Sequence, residues 1–229
     1  MPAGLSNPWG ARIGLVDAIV FDWDGTLVDT LPAITDANAE VLGSYGIAFD
    51  ADAYRRAYSP DWQEMYLRLG IDRAQMAEAG GRWLAAYRRE MREVRAMPRV
   101  AEVLERLTEA GLAMGLVTAG ERTVVEDQLA STGLGRFLPV RVCGGDLPVM
   151  KPHPAPLRRA LAELGLEEVP ERTAYIGDAQ DDMRMARAVG AHGVGIVSML
   201  GAHADLLSAG ASEVAESVAG WVDGFLASR

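Results

Sequence analysis

Along most of the chain, short and nearly unbroken apolar runs alternate with stretches whose apolar residues recur at helical spacing. The runs are LVDAIVFD (15–22), LAMGLVTA (112–119), PVRVCGG (139–145), TAYIGD (173–178) and HGVGIV (192–197), most ending at or beside Gly or Asp. Strands apolar on both faces belong to a parallel sheet covered by helices on either side. Between them, VAEVLERLTEAG (100–111), ERTVVEDQLASTG (121–133), APLRRALAELG (155–165) and DDMRMARAVG (181–190) have helical spacing and close on glycine, a stop signal. The alternation predicts an α/β doubly wound parallel sheet with a Rossmann-like core.

The alternation lapses between residues 31 and 96, where AITDANAEVLGSYG, DADAYRRAYS, DWQEMYLRLG and DRAQMAEAGGRWLAAYRREMREV are all helical in pattern. This divides the chain into a core of residues 1–30 and 97–229 and an inserted helical cap of residues 31–96, with Pro98 marking the return. The pair Gly80-Gly81 predicts a break in the last cap helix, because glycine is a weak helix former. Trp62 reads as cap core rather than as a stacking platform.

Composition narrows what such a fold can do. At 229 residues and 49% hydrophobic content the chain can bury a large core. A net charge of −10 repels a phosphate backbone and argues against general nucleic-acid binding. Cys143 has no cysteine to pair with, and no Cys/His cluster points to zinc. The opening apolar stretch is interrupted by Asp17 and Asp22, and no run approaches the ~20 apolar residues of a membrane span. A cytoplasmic protein with no membrane association is expected, with residues 1–12 a loose tail. Of the 22 basic residues only Lys151 is lysine, so its compact ammonium stands apart from the guanidinium groups used everywhere else.

Ligands of an open parallel sheet bind at the carboxyl ends of its strands. There the sequence places Asp22 and Asp24, then Thr118, then Lys151 in the following loop, then Asp178 with Asp181 and Asp182 just beyond. Each signal alone has an ordinary reading: a strand-ending turn for DWDG, strand-to-helix punctuation for VTAG, an acidic first helical turn for GDAQDD. Their order and placement after successive strands point instead to one site. So many carboxylates need a cation, and hard oxygen ligands suit Mg²⁺ together with a substrate phosphate. Beside it, one aspartate can attack phosphorus while its neighbour protonates the leaving oxygen. His153, His192 and His203 have no nucleophile to serve.

DWDGT, Thr118 in LVTAG, Lys151 in KPHP and GDAQDD resemble the four ordered motifs of the haloacid dehalogenase-like hydrolase superfamily, across essentially the whole chain and including a helical-bundle cap. The phosphoglycolate phosphatase-like branch is the most similar. The resemblance implies Asp22 as nucleophile and Asp24 as general acid/base, with Thr118 and Ala119 binding phosphoryl oxygens and Lys151 neutralising them. It implies Mg²⁺ held by Asp22, the backbone carbonyl of Asp24 and Asp178, with Asp182 supporting the metal waters or Lys151. Asp181 falls one residue too early for the last motif.

Departures from relatives narrow the implied reaction. Dehalogenases lack the acid found here as Asp24. Phosphonoacetaldehyde hydrolases need a cap lysine, and every basic residue of this insert is arginine. β-Phosphoglucomutases carry a histidine about where Ile34 falls. A Mg²⁺-dependent phosphatase of a small phosphorylated metabolite is expected, phosphoglycolate first among them, with a phosphosugar mutase or a non-catalytic phosphate-binding module as alternatives. Arg55, Arg56 and Arg68 are the cap candidates for gripping a substrate carboxylate. The segment GIVSMLGAHADLLSAGAS lacks the aromatic loop common in phosphoglycolate phosphatases. The cap is expected to open and close on hinges near Thr30 and Met97-Pro98, and a monomer or a homodimer both fit.

Overall fold

A computed structural model describes residues 16–90 and 94–229, so the expected tail at residues 1–12 lies outside the described residues. Six parallel strands, β1 (Ala18–Phe21), β2 (Ala113–Glu121), β3 (Val140–Gly144), β4 (Thr173–Gly177), β5 (His192–Ile196) and β6 (Glu213–Ala215), form one sheet in the order β3-β2-β1-β4-β5-β6. The chain builds outward from β1 to β3 and then crosses back to β4 on the other side. That reversal makes β1 the switch point, where a doubly wound sheet opens a crevice.

The strands are apolar on both faces because both faces are covered. Ile19 and Phe21 of β1 point into one core with Leu116, Ile176 and Val194. There they meet α5 (Val100–Glu109), α6 (Arg122–Thr132) and α10 (Val218–Ala227), which supply Leu104, Leu129 and Trp221. Val20 points the other way, into a second core with Val117 and Tyr175 under α7 (Ala155–Glu163), α8 (Gln180–Val189) and α9 (His203–Ala209), which contribute Leu157, Met183 and Leu206. Among the described residues no helix is long and apolar enough to cross a membrane.

Between β1 and α5 lie α1 (Leu31–Ser44), α2 (Ala51–Ala57), α3 (Trp62–Arg68) and α4 (Met76–Glu90), with a core of their own that includes Val41, Leu42, Tyr54, Met65 and Tyr66. The expected break at Gly80-Gly81 does not occur, and α4 runs straight through both glycines. Packing explains why glycine is there. A Cβ on Gly80 would lie 2.7 Å from the ring of Trp62, so the indole occupies the space a side chain would need. A cost near 1 kcal/mol for a glycine in a helix is small beside such tertiary contacts. Trp62 itself is not cap core, being 39% exposed. The chain leaves and re-enters side by side, with Asp29 N–H donating to the Arg95 carbonyl (3.0 Å) and Met97 N–H to that of Leu27 (2.9 Å).

Candidate active site

Strand register assembles the site. Phe21 sits opposite Leu116 of β2 and Ile176 of β4, so the residues that follow all three emerge at one edge. Asp22 follows Phe21 directly, while Thr118 and Asp178 come two places after their strand partners. Gly25 turns the chain back at once with φ +77°, and a Cβ there would lie 2.5 Å from Asp178 Oδ2. Only glycine fits both demands.

Lys151, from the loop before α7, joins this edge and is 5% exposed. Its ammonium donates to Asp22 Oδ1 at 2.6 Å and to Asp182 Oδ1 at 2.7 Å. Asp182 is fully engaged otherwise, accepting from the Tyr175 hydroxyl at 3.0 Å and from the Ala179 N–H at 3.0 Å. Burial opposes the Lys151 charge, yet Asp182 and Asp22 outweigh it and hold the ammonium well above the ordinary lysine range. Burial pushes the Asp22 carboxyl up to about 7, against the pull of Lys151. Removing one member of such a buried pair costs roughly 3–5 kcal/mol, because the partner is left charged and unmatched.

Asp24 is turned differently. Its Oδ1 accepts from the Thr30 hydroxyl at 2.7 Å, and burial raises its carboxyl while that bond partly offsets the rise. A raised carboxyl on a half-buried side chain suits a group that must hand over a proton. Thr118 is buried, with its Oγ1 accepting from the Gly120 N–H at 3.0 Å. Asp181 pairs outward with Arg184 at 2.6 Å and takes no part.

Among the described residues, carboxylate oxygens of Asp22, Asp178 and Asp182 lie within 4.8 Å of one another. Asp178 Oδ2 is buried with no hydrogen-bond partner. Burial and the charges of Asp22 and Asp182 raise the Asp178 carboxyl well above its ordinary value. An orphaned anionic oxygen beside a second carboxylate is what a hard divalent cation relieves, so these residues fit Mg²⁺. Asp182, with both oxygens already accepting, fits the support of Lys151 better than direct ligation.

Above this edge lies a cavity of about 670 Å³, whose lining includes Asp22, Asp24, Thr118, Ala119 and Lys151 from the sheet side. Arg55, Arg56 and Arg68 do not line it. Arg55 pairs with Asp52 at 3.2 Å, and Arg68 with Glu64 at 2.5 Å and the Tyr58 carbonyl at 2.8 Å, all on exposed helix surface. The arginine that reaches the lining is Arg73. Aromatic residues line it as well: Tyr54, Tyr58, Tyr66 and Trp83, which the sequence did not single out, and Trp62, which it suggested as cap core. Four of them recur at every fourth position from Tyr54 to Tyr66, a spacing visible in the sequence. Burial, together with the carboxylates of Asp24, Asp178 and Asp22, pushes the Tyr54 hydroxyl above its ordinary value, as expected if it overhangs them.

One buried chain of hydrogen bonds ties the two sides. The Trp23 indole N–H, between the two aspartates in sequence, donates to Gln128 Oε1 at 2.6 Å, and Gln128 Nε2 donates to the Tyr87 hydroxyl of α4 at 2.7 Å. Nothing in local spacing signals this link.

Residues 19–196 match a family model described as haloacid dehalogenase-like hydrolase. A phosphoglycolate phosphatase of Yersinia pseudotuberculosis is 28% identical over 191 residues, covering 79% of this chain and 81% of that protein. The crystal structure of a hydrolase from Pseudomonas syringae is 26% identical with a TM-score of 0.80, covering 91% of this chain and 98% of that one. A structure from Thermotoga maritima, assigned as a β-phosphoglucomutase, is 25% identical with a TM-score of 0.70, covering 93% and 97%.

Proposed function

The chain belongs to the haloacid dehalogenase-like hydrolases, and within that family we propose that it is a Mg²⁺-dependent phosphatase of a small phosphorylated metabolite, acting in the cytoplasm as a monomer or homodimer. The observation that carries the reading is the meeting of Asp22, Asp24, Thr118 and Lys151 on the floor of one cavity.

Asp22 presents one oxygen to Lys151 and attacks the phosphorus with the other, forming an aspartyl-phosphate. Lys151 neutralises the charge gathering on the transferred group. Thr118 and the Ala119 backbone hold its oxygens. Asp24 delivers its proton to the leaving oxygen and then takes one from the water that cleaves the intermediate. Asp22 and Asp178, with the Asp24 carbonyl implied by the family, would hold Mg²⁺, which when bound screens the carboxylates from the incoming phosphate. Phosphoglycolate is the substrate for which the Yersinia relative is named and is the first compound to try here. Ile34, about where the resemblance places the mutase histidine, lines the cavity, which supports hydrolysis over isomerisation.

Phosphate release measured with Mg²⁺ and with chelator tests this reading. Chelator should stop release, and Asp22→Asn should lower kcat by roughly 10⁴-fold or more. Release by Asp22→Asn at the wild-type rate would remove the nucleophile and the mechanism with it.

A further inference from the structure

The substrate's leaving group must occupy the helical side of the cavity, and that side is aromatic. Trp62 is large, apolar and 39% exposed, yet it is fixed in place. Its ring meets Tyr66 edge-on, with centroids 5.6 Å apart and planes at 89°, and it lies over the bare backbone of Gly80. Trp83 is similarly anchored, stacked on Tyr87 at 4.7 Å with planes at 13°. Both indoles line the same cavity with Tyr58. Two anchored indoles in one cavity wall, one of them seated against the neighbouring helix by a glycine, give a ligand ring a surface to pack on.

Charge points the same way. Among the described residues of the insert that line the cavity, Arg73 alone carries charge, and it is solvent-exposed. An exposed guanidinium attracts a carboxylate weakly through water and salt. A two-carbon acid would leave most of a cavity of about 670 Å³ unfilled and its aromatic wall wet.

We infer that the substrate is a phosphomonoester of an alcohol bearing a flat, uncharged ring, held against Trp62 and Trp83 while its phosphate meets Asp22. The inference rests on the phosphatase reading and specifies what that site takes. Trp62 and Trp83 are specificity residues, and Gly80 is the position that seats the first of them.

Benzyl phosphate and ethyl phosphate separate ring recognition from chemistry, since both release a primary alcohol of similar reactivity. With Mg²⁺ and the full chain, kcat/KM for benzyl phosphate should exceed that for ethyl phosphate and for phosphoglycolate by roughly tenfold or more, as stacking contacts of this kind imply. Trp62→Ala should collapse the benzyl-to-ethyl ratio towards one. Gly80→Ala keeps the tryptophan but drives a methyl group into its ring, and should lower the same ratio. Phosphoglycolate turned over as well as benzyl phosphate, or a ratio unmoved in both variants, overturns the ring and leaves the phosphatase standing. Phosphate release from none of the three overturns both readings together.

Discussion

The floor and the roof of the cavity are built on opposite plans. The floor is charged, and its groups are held mostly by partners from other elements: Asp22 by Lys151, Lys151 by Asp182, Asp182 by Tyr175 of β4 and by the Ala179 N–H that caps its own helix. The roof is largely aromatic and apolar, with Arg73 its one charge among the described residues, and its side chains are held by ring contacts, by the close approach of Trp62 to Gly80 and by the Tyr66 hydroxyl donating to Asn38. Buried charge tolerates little displacement, because its worth falls steeply once a partner moves away. Aromatic surface tolerates variation in whatever lies against it. A site divided this way can fix one reaction while leaving the choice of substrate to shape.

The contrast can be broken first at Asp182, which touches no substrate in this scheme and acts by positioning Lys151. Asp182→Asn keeps the size and loses the charge, and should lower kcat by roughly 10–100-fold, as loss of a supporting partner commonly does. The benzyl-to-ethyl ratio should stay as it was, because the roof is untouched. A change in that ratio would mean that floor and roof are not separate in function.

The link between them is the next target. Gln128→Leu strands the Trp23 N–H and the Tyr87 hydroxyl, both buried. Two stranded groups should cost about 2–4 kcal/mol, read as a fall of roughly 5–15 °C in Tm. An unchanged Tm would show that the roof is not anchored to the nucleophile loop through this chain.

The smallest effect sets the baseline for the other two. Arg99 takes φ 63°, and its guanidinium reaches both Glu102 (2.8 Å) and Asp223 (2.8 Å), which Arg106 also joins. Hydrogen bonds from Arg99 and Arg106 lower the Asp223 carboxyl from 3.8 to about 2. A depressed carboxyl adds stability above its unfolded value and loses it as pH falls through the folded one. Asp223→Asn should therefore lower Tm slightly at pH 7, with the two proteins converging as pH drops from about 4 to about 2. Identical Tm values at pH 7 would show that this exposed cluster contributes nothing.

The floor was legible in the sequence because its parts sit at strand ends, where motif and fold coincide. Asp22, Thr118 and Asp178 come together through register alone, and Lys151 reaches them from the loop before α7. The roof was read through its charges, and those candidates, Arg55, Arg56 and Arg68, lie on exposed surface, while Tyr54, Tyr58 and Trp62 line the cavity. On a surface helix, arginine is held out by its own hydration, so a candidate chosen for charge is biased towards the wrong face. Gly80-Gly81 misled for a related reason, since local propensity is silent about a ring arriving from another helix. The edge strand β6 is three residues long, too short for a pattern to declare itself. Bonds such as Tyr175 to Asp182 and Trp23 to Gln128 exist only once the fold has formed.

The paired linkers have a consequence for how the insert can vary. Because residues 27–29 and 95–97 bond to each other, the two ends of the helical insert are already joined where it departs. At that seam the chain closes on itself like the neck of a loop. Such an entry point frees the far end of the insert to vary in length, while the Tyr87–Gln128–Trp23 bonds still tie α4 to the loop that carries Asp22.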